Sequence, residues 1–170
     1  MHRRTFGLLA ASAIFTAGCS GKFRSYNGPD VTSIVVNKRS RRMYLLHNDN
    51  ILKDYKFALG FAPEGDKNIM GDGKTPEGTY YIDRRNPNSA FHLSLGISYP
   101  NAKDIAEARA VGKEPGGDIF IHGQPNLVAD RKKARKRGAD WTAGCIAVKN
   151  REMEEIYSMV QRGAIITLRA

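Results

Sequence analysis

The stretch Asp140-Trp141-Thr142-Ala143-Gly144-Cys145-Ile146-Ala147-Val148 decides how this chain is read. It sets one of two cysteines between a polar, glycine-containing approach and a short apolar run with strand character. Upstream, Asp118-Ile119-Phe120-Ile121-His122-Gly123 has a related design: a strand-like run, a functional side chain, then glycine. The two runs predict a nucleophile and its base facing each other across a sheet edge. A free cysteine has a pKa of about 8.5, and only its thiolate attacks. An adjacent imidazole removes that proton or holds the thiolate as an ion pair. Gly144 and Gly123 are expected to leave room for a substrate backbone. The backbone N–H groups of Gly144 and Cys145 are candidate oxyanion donors. Thr142 is a candidate for orienting imidazole or substrate, with turn stabilisation as the alternative.

Working outward, the pattern is mainly β with a few short helices. Strand signals cover residues 31–36, 43–46, 51–59, 80–83, 90–97, 119–121, 145–148 and 164–168, the first three reading as a β-meander. Residues 60–78 carry turn formers without periodicity and read as a long loop. Residues 101–111 predict a helix capped by Asn101. In residues 151–161, Met153, Ile156, Tyr157 and Val160 fall on one face, with Asn150 as the expected cap and Gly163 as the stop. This helix should pack beneath the Cys145 strand. His92, at the start of an apolar run, is either structural or a lining residue of the substrate cleft.

Ile121-His122-Gly123 followed by Thr142-Ala143-Gly144-Cys145-Ile146 resembles the catalytic signature of L,D-transpeptidases of the YkuD type, and more closely their YafK-like branch. The likeness runs from about Val31 to Leu168. It includes Gly71-Asp72-Gly73-Lys74-Thr75-Pro76-Glu77-Gly78 and the segment from Phe91 to Asn101. The resemblance implies a β-sandwich catalytic fold over residues 31–170 and cofactor-free acyl transfer on peptidoglycan stem peptides. Cys145 would be the nucleophile and His122 the base, with a thioester resolved by transpeptidation or hydrolysis at diaminopimelate. The YafK-like branch is associated with hydrolysis of the bond between diaminopimelate and an outer-membrane lipoprotein, which makes a wall-linked lipoprotein a candidate partner. Many relatives carry His two residues before the cysteine and Arg two residues after it; here Ala143 and Ala147 stand there. The missing Arg removes a bidentate partner for a substrate carboxylate.

The first nineteen residues read as an export signal. Arg3 and Arg4 precede an apolar run from Phe6 to Phe15, and Thr16-Ala17-Gly18 lead to Cys19. That is the layout of a lipoprotein signal in which Cys19 is lipidated, giving an exported, periplasmic, membrane-anchored protein. A simple cleavage near Ala17 or Gly18 is the alternative, and the paired arginines also allow twin-arginine export. Residues 20–30 read as a polar linker. Cysteines in an oxidising compartment are normally paired. Cys145, left alone, is therefore either buried and inert or kept for its reactivity.

Net charge is +10, or about +8 without Arg3 and Arg4. Much of it lies in Arg131-Lys132-Lys133-Ala134-Arg135-Lys136-Arg137, an expected exposed helix closed by Gly138 and a candidate lid beside the site. It suits anionic wall polymer, lipid headgroups or stem-peptide carboxylates. Nucleic acid is not an expected partner, since no aromatic residue interleaves with the run for base stacking. A rival reading is a non-catalytic wall-binding lipoprotein that uses this helix for adhesion. A phosphate-binding loop is excluded because Asn68 stands where Gly is needed and Pro76 follows Gly73-Lys74-Thr75. No metal site is expected: His47, His92 and His122 form no i, i+4 pair, and no second mature cysteine remains. If Cys19 carries the anchor, Cys19→Ser should move the protein from the membrane to the soluble periplasmic fraction. A wild-type chain that is already soluble with a different N-terminus would contradict the lipid anchor.

Overall fold

The computed structural model describes residues 21–170, so the expected signal segment and Cys19 lie outside the described residues. The chain builds β1 (Ser33–Asn37), β2 (Arg42–His47), β3 (Asn50–Lys56), β4 (Gly78–Asn86), β5 (Ser94–Ile97), α1 (Ala102–Ala110), β6 (Phe120–His122), α2 (Val128–Arg137), β7 (Ile146–Ala147), α3 (Asn150–Met159) and β8 (Ile165–Arg169). The fold is mostly β with short helices, as the sequence predicts. Its strands join in one curled sheet of order β3-β2-β1-β8-β4-β5-β6-β7. The last strand, β8, is inserted between β1, parallel to it, and β4, antiparallel to it.

Curling brings the two ends of the sheet together. Beyond β3 the chain continues alongside β7, where Ala58 and Ala147 exchange backbone hydrogen bonds of 2.8 and 2.9 Å. The run expected as one strand to Leu59 is thus regular only to Lys56, and its remainder serves the opposite end of the sheet. Alternation along β1, β2 and β8 turns Ile34, Val36, Met43, Leu45, Ile166 and Leu168 into the core. β5 is buried at every residue, because it runs mid-sheet with α3 packed across it. The run expected from Ala90 becomes regular only at Ser94, and His92 before it takes a positive φ of 70°.

The helices follow their end signals with one change. Asn101 caps α1 as expected, accepting from the amides of Lys103 and Asp104. For α3 the N-cap is Lys149, whose amide donates to Glu152 at 2.9 Å. Asn150 begins the helix and instead accepts from the Gln124 amide at 2.7 Å, which ties α3 to the turn after His122. Met153, Ile156 and Val160 are buried under the sheet, whereas Tyr157 is half-covered by Arg85. α2 occupies the basic run and ends at Gly138, whose φ of 96° suits glycine. No helix among the described residues is long and apolar enough to cross a membrane.

The loop from residue 60 to 78 is irregular but held by two buried lysines. Lys38 donates to the carbonyl of Thr75 at 2.9 Å and to Glu77 at 2.8 Å, and also reaches the Gly65 carbonyl. Lys67 donates to the Ile69 carbonyl and to Asp72, both at 2.9 Å. Asp72 also accepts the amides of Asn68, Ile69 and Lys74, so one carboxylate organises the turn. Lys38→Met keeps the stem but leaves buried carbonyls without a donor, and should cost about 2 kcal/mol. A lower urea midpoint at unchanged slope would be the sign.

Candidate active site

β6 and β7 run parallel, with Ile121 opposite Ile146 and His122 opposite Ala147. Continuing that register one residue back places Cys145 opposite Phe120. Side chains alternate along a strand, so His122 and Cys145 project from the same face. Cys145 therefore stands just before β7 and His122 at the end of β6, diagonal to each other. Both line one cleft of about 320 Å³, together with Phe91, Ser94, Asp118, Phe120 and Trp141.

The imidazole is tightly held. His122 Nδ1 lies 2.7 Å from the Gly123 carbonyl oxygen. That carbonyl can only accept, so Nδ1 carries the proton and Nε2 keeps its lone pair. Phe91 packs 4.5 Å from the ring centroid to centroid, and Trp141 meets it edge-on at 5.7 Å. Burial pushes the imidazole pKa down to about 4, with the Gly123 hydrogen bond opposing in part. Burial likewise raises the Cys145 thiol above its ordinary value, with the nearby Phe120 backbone amide opposing the rise in part. The thiol donates to the Asp118 carbonyl at 3.4 Å. At rest, then, the pair is a neutral thiol and a neutral imidazole, not an ion pair. Such a pair supports nucleophilic acyl transfer in which the base takes the proton as attack proceeds.

The turn that presents Cys145 is tied from several sides. Thr142 is buried, donates to the Cys145 carbonyl at 2.7 Å and accepts the Gly144 amide at 3.2 Å. Its hydroxyl is spent on the turn, the alternative role the sequence allowed. With the Gly144 amide so engaged, the Cys145 amide is the one of the two candidate donors without a protein acceptor among the described residues. Contrary to the expectation from sequence, the space that the missing side chains leave at Gly144 and Gly123 is taken by the protein's own atoms and not by substrate backbone. A Cβ at Gly144 would lie 2.5 Å from the Lys74 carbonyl oxygen. At Gly123 it would meet the Asn150 side chain at 2.7 Å and the Phe91 carbonyl at 3.0 Å.

Other expected residues fall elsewhere. His92 is absent from the cleft lining, and its Nε2 pairs with Glu154 of α3 at 2.9 Å. No residue of α2 lines the cleft either, so the basic helix does not form its wall. The structure adds Phe91, Trp141 and Asp118 to the cleft lining, beyond the site residues expected from sequence. The sequence signal for Trp141 was present, since it is the single tryptophan and stands four residues before the cysteine. Asp140 is likewise structural: Arg41 grips it with two hydrogen bonds of 3.2 and 2.6 Å, and it accepts the Leu59 amide at 2.9 Å.

Comparison with known proteins gives the class. Residues 31–168 match the L,D-transpeptidase catalytic domain of the YkuD family, and the chain belongs to that family. It is 27% identical over 168 residues to YafK of Escherichia coli strain K12, named provisionally as an L,D-transpeptidase, covering 95% of this chain and 60% of that protein. The structure of the helical cell shape determining protein Pgp2 from Campylobacter jejuni superposes with a TM-score of 0.60 at 30% identity, over 85% of this chain and 49% of that one. An L,D-transpeptidase from Mycobacterium smegmatis shares the fold, with a TM-score of 0.51 at 14% identity over 82% of this chain and 59% of that one. The chain thus spans between about half and three fifths of these relatives' lengths.

The depressed imidazole pKa has a consequence for stability. Unfolded, His122 takes its proton at about 6.5; folded, only at about 4. Between those values the unfolded chain binds the extra proton, so stability is full above pH 6.5 and falls as pH drops toward 4, by roughly 3 kcal/mol. His122→Gln should lose that share of the acid sensitivity. Urea midpoints of both proteins at pH 7 and pH 4.5 would measure it, and parallel midpoints would contradict a buried neutral imidazole.

Proposed function

We propose that this chain is an exported, peptidoglycan-modifying cysteine acyltransferase that works through a thioester on Cys145. The observation that carries the reading is the shared cleft of Cys145 and His122, with Nδ1 committed to the Gly123 carbonyl and Nε2 left as a base. Family membership supports the substrate class, stem peptides bonded to diaminopimelate. Nε2 takes the thiol proton as sulfur attacks the scissile carbonyl, and the tetrahedral oxyanion is met by the Cys145 amide. The C–N bond then breaks, the leaving amine takes the proton from His122, and the acyl group stays on sulfur. Water or a second amine attacks the thioester, gives its proton to Nε2, and thiolate leaves to recover that proton.

The two outcomes share the first half-reaction and differ in the acceptor. The kinship with YafK supports hydrolysis at diaminopimelate, with a wall-linked lipoprotein as a partner. The kinship with Pgp2 supports a place in determining cell shape. The periplasm, with a lipid on Cys19 as the tether, is the compartment where such a wall substrate is met. The non-catalytic alternative, adhesion through α2, has no use for a thiol set beside a base of fixed tautomer.

Purified peptidoglycan incubated with the protein and read by mass spectrometry tests the reading and separates crosslinking from cleavage. Cys145→Ala, which fills nearly the same volume, should keep the fold and lose turnover by at least about 1,000-fold. Chelators should leave the wild-type rate unchanged. Full activity in Cys145→Ala would eliminate the thioester.

A further inference from the structure

The nucleophile cleft has no cation among its lining residues, and its one charged member is Asp118. Ala147, where many relatives carry an arginine, is buried and bridged to Ala58, so nothing from that position reaches the cleft. Carboxylates of a stem peptide therefore need positive charge from a neighbouring surface. α2 does not line the cleft. A second pocket does adjoin it, sharing Asn86 and Phe120, with a volume of about 390 Å³ and further walls from Asp83, Arg84, Arg85 and Arg162.

The three guanidiniums in that pocket are not equivalent. Arg85 is committed to α3 and the turn after it: it donates to the Tyr157 carbonyl at 2.7 Å and to Gln161, and it stacks on the Tyr157 ring at 4.4 Å. Arg162 is exposed and has no acidic partner among the described residues. Arg84 lies over the Phe120 ring, 4.9 Å from its centroid. Its carboxylate contacts, to Asp83 and Asp118, are single, exposed and long, each 3.3 Å. Pairs of that kind contribute little. Asp118 in particular leaves 80% of its side chain exposed. Stacking on Phe120 thus orients Arg84, while its hydrogen-bonding edge remains exchangeable. Phe120 is also the residue opposite Cys145, so the aligned guanidinium flanks the reacting sulfur's own strand neighbour.

We infer that Arg84, seconded by Arg162, forms a carboxylate subsite at the edge of the cleft. It takes a free carboxylate of the peptide whose scissile carbonyl lies over Cys145, and that carboxylate displaces Asp118 from Arg84. A planar guanidinium can bind the incoming group through two parallel hydrogen bonds, which its present partners do not supply. The substrate class rests on the acyl-transfer reading above; the subsite itself is read from binding. Arg84 would be specificity-determining, with no part in proton transfer.

Binding should be measured on Cys145→Ala, which cannot turn over, using a diaminopimelate-containing stem tetrapeptide and the same peptide with its carboxylates converted to carboxamides. The carboxylate form should bind about tenfold more tightly and shift the Arg84 Nε–Hε resonance. Arg84→Gln, made at a half-exposed side chain, should erase the difference between the two peptides, and Arg84→Lys should recover part of it. Equal affinity for the two peptides overturns the subsite, as does a preference that survives Arg84→Gln. If the preference and its dependence on Arg84 hold while the wild-type chain turns over no wall peptide, the acyl-transfer reading fails and the subsite stands.

Discussion

The site depends on how a very short strand is held. β7 has two residues, too few to be stable as an isolated pairing, and it carries the cysteine at its mouth. Its parallel neighbour β6 provides one edge. The other edge comes from Ala58, more than eighty residues earlier, and the turn before it is fastened by Leu59 and Phe61 through backbone bonds to Thr142 of 3.0 Å each. The Thr75 hydroxyl reaches the Gly144 carbonyl at 2.8 Å, and the Lys74 carbonyl fills the space a side chain at 144 would need. The backbone groups of the nucleophile turn are thus met largely by segments distant in sequence, which fixes how the cysteine is presented.

The same closeness shapes the electrostatics. Packing Phe91 and Trp141 on the His122 ring excludes water and disfavours charge there. The thiol meets the same penalty, so the resting site stores no ion pair. Charge appears only as sulfur attacks, and the groups prepared for it are backbone ones: the Gly123 carbonyl at Nδ1 and the open amide of Cys145. The fixed partners are dipoles whose positions are set by strands. They need no reorganisation when charge develops, which is the physical advantage of building such a site from main chain.

Part of this was legible in the chain. Each strand signal corresponds to a β-segment, and α1 and α3 announced themselves by cap and periodicity, because those cues act between neighbours in sequence. The failures share one cause. Asn150 looked like a cap by position, yet a tertiary demand from Gln124 claimed its side chain. Gly123 and Gly144 looked like openings for substrate, since a missing Cβ says that something approaches closely without saying what. The sequence around His92 is compatible with two roles, and only the placement of Glu154 on α3 decides between them.

What the sequence determined by itself is local and chemical: a mainly β chain, a cysteine beside a polar turn, a histidine at a strand end, and a basic helix stopped by glycine. Composition, alternation and turn residues carry that information because each acts over a few positions. Only the tertiary structure decided that β6 and β7 pair in parallel, that the Gly123 carbonyl selects the histidine tautomer, and that Arg84 stands beside the cleft while the basic helix does not line it. Those facts depend on which segments meet when the sheet curls and closes on Ala58. Pairing between strands so far apart follows from burying one common core, and no short window of residues encodes it.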